Sequence, residues 1–186
     1  MAERLREAPP LGPALRRWRL LHRVKQAHAA ELFGVTQSTI SRWEAGLQAM
    51  EPAERAKVEA LLAARLNPGA DHVLAGLVAD SPRPVHLVCD LSHRLLALSA
   101  RRAADFGCDA NALIGQSLWP FITAELAAME AELPERGWYE GAVVPPIELD
   151  TGSNGSNLVP VRPSRCRWTR FILSDGTAAR LVETLA

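Results

Sequence analysis

A chain of 186 residues that is 48% hydrophobic and 23% charged can bury one moderate core or two small ones, since domains run roughly 50–200 residues. Its longest apolar stretch, around His72–Ala79, is far too short to span a bilayer, and the opening MAERLREAPPLGP has no apolar core of signal-peptide length, so a cytoplasmic protein without a membrane partner is expected. The formal charge of zero hides a division: residues 1–67 hold 11 Lys+Arg against 7 Asp+Glu, residues 68–186 hold 10 against 14, and a basic first part joined to an acidic second one suits a phosphate-binding module attached to something else.

Leu11, Leu15, Trp18 and His22 recur at helical spacing, and so do Val58, Leu61, Leu62 and Leu66, so both segments are expected as amphipathic helices. The second opens with Pro52 in its first turn and closes at Asn67-Pro68-Gly69, which sets the expected domains at residues 1–67 and 68–186. Asp71 is placed to N-cap a further helix through Ala79, with Leu74, Leu77 and Val78 as its apolar stripe. Beyond Pro84, Val85–Asp90 and Leu95–Leu98 are expected as strands joined by a turn at 91–94. Residues 99–133, broken by Gly107, Gly115 and Pro120, suggest short helices. Strands then return, with a hairpin loop at Thr151–Asn157 around Asn154-Gly155 and a turn at Ser174-Asp175-Gly176.

Between the first two helices lies the most informative segment, VKQAHAAELFGVTQSTISRWEAG, from Val24 to Gly46. Gln26–Phe33 is expected as one helix, with Ala30 small enough to let the next helix cross closely. Gly34 makes the turn, Thr36 N-caps the second helix, Gly46 ends it, and Val35, Ile40 and Trp43 hold the pair at a steep angle. A plain helical hairpin needs neither that turn nor a QSTIS start, which propensity would fill with Ala or Glu.

This segment resembles the Cro/phage-repressor (XRE-type) helix-turn-helix family over roughly residues 11–66. The resemblance implies a double-stranded DNA partner, a homodimer, and a buried ion pair between Arg19 and Glu44. It implies that Gln26 contacts a phosphate, that Thr36 and Ser41 belong to the DNA face, and that Gln37, Ser38 and Arg42 reach base edges in the major groove. Lys25 departs from the family's usual Thr cap and is expected on a phosphate instead. Ala29 stands where a core Leu is usual.

The second part, with DLSHRLLALSARRAADFGC leading into NALIGQSLWPFI, resembles a PAS sensor domain from about residue 71 to 184. The whole is therefore expected as α+β: an all-α helix-turn-helix domain followed by an α+β PAS-like domain with an antiparallel sheet, although a four-helix or double-β ligand domain stays open. The resemblance implies a pocket for a small ligand drawing on Leu96, Phe106, Leu113, Trp119, Phe121 and Trp168, and for each of these ordinary core packing is the competing explanation. The sequence identifies no cofactor. His86, Cys89 and His93 carry metal-ligating chemistry, but strand alternation sends His86 and Cys89 to opposite faces and no fourth ligand is evident, so no metal is expected. Cys89, Cys108 and Cys166 suit reduced thiols. With no phosphate-cradling glycine loop and no nucleophile elbow, no catalytic residue is assigned. A ligand-responsive transcriptional regulator is the leading expectation. The alternatives are a second domain that only dimerises or binds a protein partner, and a small enzyme fused to a DNA reader.

Overall fold

The computed structural model describes residues 10–63, 66, 69–141 and 143–185. Four helices come first: α1 (Leu11–Leu21), α2 (Gln26–Phe33), α3 (Gln37–Glu44) and α4 (Pro52–Leu62). Leu15, Trp18, Ala29, Ala30, Phe33, Ile40, Trp43, Val58 and Leu62 are all buried, and they supply the shared core of this bundle. Gly12 lies so close to the end of α3 that an added Cβ would stand 1.8 Å from the Trp43 carbonyl oxygen, so α1 and α3 touch backbone to backbone there.

Helix α4 is shorter than its apolar spacing suggests. It stops at Leu62, because Ala63 takes extended backbone at ψ 101°, and Leu66 packs against the core beyond the helix rather than within it. Asn67 and Pro68, where the domain boundary was expected, lie outside the described residues. Helix α5 (Ala70–Ala79) starts from Gly69 at φ 101°. Asp71 does not cap it. Its carboxylate reaches across instead, accepting from the Ser174 backbone N–H at 3.1 Å and from the Ser174 hydroxyl at 2.6 Å. Leu74 packs against the core, whereas Leu77 is exposed.

Strands β1 (Val85–Cys89) and β2 (Leu95–Leu98) form the early hairpin. After them come α6 (Ala100–Ala103), 3₁₀ turns at Ala110–Leu113 and Trp119–Phe121, α7 (Ala124–Glu132), and strands β3 (Ile147–Asp150), β4 (Arg165–Ile172) and β5 (Ala178–Leu185). The order strand, strand, helices, three strands is the expected one, and the α+β class holds. All pairings are antiparallel in one five-stranded sheet ordered β2-β1-β5-β4-β3. Ser99 and Thr123 N-cap α6 and α7, accepting from the backbone N–H groups of Arg102 and Leu126. The β4–β5 turn falls at Gly176, φ 82°.

The hairpin loop expected at Thr151–Asn157 is present but runs further, and Gly155 takes the positive φ, 67°, that the Asn154-Gly155 pair suits. A loop from Thr151 to Ser164 joins β3 to β4, and Asn154 organises it, donating to the carbonyls of Phe121 and Val159 and accepting from the N–H groups of Ser156 and Val161. An Asn-Gly pair serves a two-residue turn only when the flanking strands pair at once; here the amide is used to tie the loop to the helical side.

The sheet has two working faces. One carries Leu87 and Cys89 toward the helical bundle, and the core runs unbroken from Leu15 and Ile40 through Leu62 and Val78 to these residues. The Cys89 thiol donates to the Leu62 carbonyl at 3.2 Å, the Arg17 guanidinium sits 5.1 Å from the Tyr139 ring centroid, and His22 lies beside Gly176. The other face, with His86, Val88, Arg180 and Val182, looks onto a cavity.

Candidate nucleic-acid interface and ligand cavity

Helix α3 is built to be held still and left bare on one side. Gly34, at φ 69°, makes a left-handed turn that most side chains would resist. The Thr36 hydroxyl caps the helix by accepting from the Thr39 N–H at 3.2 Å and also contacts the Ser38 and Thr39 hydroxyls. At the far end, Gly46 (φ 70°) closes the helix: its N–H reaches the Trp43 carbonyl while the Leu47 N–H reaches that of Arg42, a Schellman ending. Ile40 and Trp43 are buried, with Trp43 edge-on to Phe33 at 6.3 Å between ring centroids.

Arg19 grips the C-terminal turn of α3 through Glu44, Nε to Oε1 at 2.7 Å and Nη2 to Oε2 at 2.9 Å, and its third donor reaches the Val24 carbonyl. Burial works against the Glu44 charge, but the hydrogen bonds from Arg19 and Gln26 outweigh it and hold the carboxyl below its usual range. Gln26 is thereby occupied: its side-chain amide donates to Glu44 at 2.9 Å, so its place at the start of α2 is fixed from inside. Lys25 is exposed at the N-cap of α2 and makes no side-chain cap.

Thr36, Gln37, Ser38, Ser41 and Arg42 are all exposed along α3, and the sheet covers none of them. Its contacts with the bundle include those at Arg17, His22 and Leu62.

The cavity on the far face of the sheet has a volume of about 340 Å³. Phe106, Phe121 and Trp168 line it. Leu96, Leu113 and Trp119 do not. Leu96 falls in the β-bulge where Leu87 pairs with Ala97 but Val88 pairs with Leu95; the skipped residue packs against the larger core while Leu95 joins the cavity side. Leu113 is buried in the cluster with Leu95 and Leu118, and Trp119 meets the His93 ring in a tilted contact, 4.7 Å between centroids and 57° between planes.

The inner end carries a charged network that sequence reasoning missed. Arg180 pairs with Asp90 (Nε to Oδ1 2.7 Å) and with Glu130; Glu130 also bonds His93 Nε2 at 3.0 Å; Trp138 Nε1 donates to Asp90 at 2.9 Å. Arg170 lies 3.5 Å from Asp90 and donates to the carbonyls of Trp138 and Gly141. Arg180 lies over the Trp168 ring at 4.2 Å. Burial disfavours an ionised Glu130, yet the charges of Arg180 and His93 hold its carboxyl far below the usual range. One signal was available: on β4, Cys166, Trp168 and Arg170 share a phase, which marks Arg170 as inward.

His86, Cys89 and His93 do not converge. His86 and His93 both line the cavity, with His93 held on Glu130 from a left-handed backbone at φ 58°, whereas Cys89 faces Leu62 on the other side of the sheet. Burial and the nearby Arg102 hold His86 well below its ordinary pKa, and burial pushes the Cys166 thiol up to about 11.

Residues 15–53 match the helix-turn-helix family model, and this segment is a helix-turn-helix. No curated protein matches the sequence. Among solved structures, the chain is similar to the PAS domain of an HTR-like protein from Haloarcula marismortui, at 17% identity and TM-score 0.44 over 61% of this chain and 94% of that one. It is also similar to the PAS domain of BvgS from Bordetella pertussis, at 14% identity and TM-score 0.40 over 61% and 82%. A third is an RNA-binding light-oxygen-voltage receptor, at 10% identity and TM-score 0.43, with 95% of this chain covering 58% of that one.

Proposed function

We propose that this chain is a transcriptional regulator that reads a two-fold symmetric operator as a homodimer, with a second domain, residues 68–186, that answers to a small molecule. It is read as a binding protein rather than an enzyme. The observation that carries the reading is the bare row Gln37, Ser38, Ser41 and Arg42 on a helix locked from behind by Arg19–Glu44. In the major groove, Gln favours adenine and Arg guanine through paired donors and acceptors, while Lys25 meets the phosphate backbone. Thr36 sits where the helix enters the groove. Gln26 steadies α2 from within through Glu44 and presents its helix N-terminus, where backbone N–H groups attract a phosphate. Two copies would place their recognition helices about 34–36 Å apart. Phe106, Phe121 and Trp168 are the proposed apolar wall of the ligand site.

Control through dimer geometry fits better than masking, because the recognition face is already uncovered. The thiol of Cys89 on the Leu62 carbonyl and Arg17 on Tyr139 would carry a change in the sheet into the bundle. Selection of bound duplexes from a random pool, followed by titration at several salt concentrations, tests the reading. A symmetric consensus bound at least about 10³-fold more tightly than random duplex supports it, and equal affinity for every sequence removes it.

A further inference from the structure

The charges around the cavity are uneven along its length. At the inner end they are matched, Asp90 and Glu130 against Arg170 and Arg180, and Arg180 and Glu130 neutralise one another among the lining residues. At the outer end Arg101, Arg102 and Arg162 gather with Asp105 as the acid among them, and Arg101 and Arg162 are exposed at the mouth. Between the ends, Val88, Phe106, Phe121, Leu126, Trp168 and Val182 form an apolar waist. The register sets the order. His86, Val182 and Trp168 lie in one row across β1, β5 and β4, while Arg180 and Thr184 lie two residues to either side of Val182, about 13 Å apart along the strand.

Arg102 is fixed rather than floating. It donates to the Pro84 carbonyl at 2.9 Å and to the Thr184 hydroxyl, and it stands 3.5 Å from Asp105. Its Nε is buried and has no partner. That nitrogen is closed off from the cavity, so what Arg102 offers a ligand is its charge: with Arg101 and Arg162 it leaves three arginines against Asp105 at this end, an excess that an anion would offset. Burial lowers the Arg102 pKa, in keeping with a charge short of partners.

We infer that the cavity takes a small organic monocarboxylate, its carboxylate on Arg102 and its aromatic or aliphatic body in the waist between Trp168 and Phe121. The inner end gives a second ion no net attraction, because its charges already cancel. A cationic ligand would meet the arginines first. A volume of about 340 Å³ is near the lower limit of ordinary ligand sites and suits a fragment-sized molecule rather than a dinucleotide. The inference rests on the reading that the second domain holds a ligand and is independent of the DNA reader.

The test titrates the full chain with benzoate, phenylacetate and octanoate beside benzamide, phenylacetamide and octanamide, by calorimetry and thermal shift. At least one acid should bind and raise the melting temperature, with its amide weaker by about tenfold or more. Arg102→Gln, with its fold checked by circular dichroism, should erase that preference. Arg101→Gln/Arg162→Gln, at exposed positions, should weaken the acid a few-fold at low salt and little at high salt. Amides binding as well as acids, no binding by any probe, or an Arg102→Gln protein that keeps the preference would overturn the inference. If Arg102→Gln does not fold, unchanged acid affinity in the double variant at low salt overturns it. An acid that binds without altering operator affinity sustains the inference and removes ligand control of DNA binding, whereas operator reading without acid binding overturns the inference and leaves the DNA-reading proposal standing.

Discussion

Arg19 and Glu44, 25 residues apart in sequence, meet as a two-point ion pair at 2.7 and 2.9 Å, and Gln26 completes the same carboxylate at 2.9 Å. One acid thus joins α1, α2 and α3. Replacing Glu44 by Ala strands a largely buried guanidinium and should cost roughly 3 kcal/mol in urea unfolding; a loss under about 0.5 kcal/mol would show that packing alone holds α3.

The same carboxylate sets an acid limit. Because its folded pKa is lowered, its contribution to stability is complete above the ordinary Glu value and is lost as pH falls through the depressed one. Stability measured from pH 6 down to pH 3 should therefore fall less steeply in Glu44→Gln than in the parent chain. Parallel curves would exclude Glu44 from acid unfolding.

The proposed base readers and backbone holders should separate by specificity. Gln37→Ala and Arg42→Ala should each cost about 1–3 kcal/mol on the preferred duplex and relax one base position, whereas Lys25→Ala should weaken all duplexes alike and flatten the salt slope by about one. Losses of the same size on preferred and random DNA for all three variants would contradict these roles.

Thr36→Ala removes the cap from α3 and should cost about 1 kcal/mol in stability. Thr36→Ser keeps an acceptor oxygen and should recover most of it. If Ser and Ala behave alike in thermal unfolding, the cap is not what Thr36 contributes.

The continuous core implies coupled unfolding. Leu62, 2% exposed, belongs to the bundle core, and its carbonyl accepts from Cys89 of the sheet. Leu62→Ala should cost about 2–5 kcal/mol and lower the melting of both parts together. Tryptophan fluorescence and far-ultraviolet circular dichroism should then report one transition; if the helical signal melts first and the sheet stays unmoved, the parts are energetically separate.

The sequence alone determined the helix-turn-helix. Gly34, Thr36, Ile40, Trp43 and Gly46 act within one short segment through turn chemistry, capping and helical phase, so local rules suffice to find both helices and their exposed side. It also determined the order of strands and helices in the second part, because alternation and breakers are local signals. What it left to the tertiary structure has a common physical cause. The bulge at Leu96 puts Leu95 rather than Leu96 opposite Val88, and a strand's phase after a bulge depends on its partner. Asp71 looks like a cap until Ser174, 103 residues away, supplies better donors. Asp90, Glu130, Arg170 and Arg180 look like surface charges because their compensation comes from strands and a helix far apart in the chain, and a buried charge is tolerated only where those partners meet.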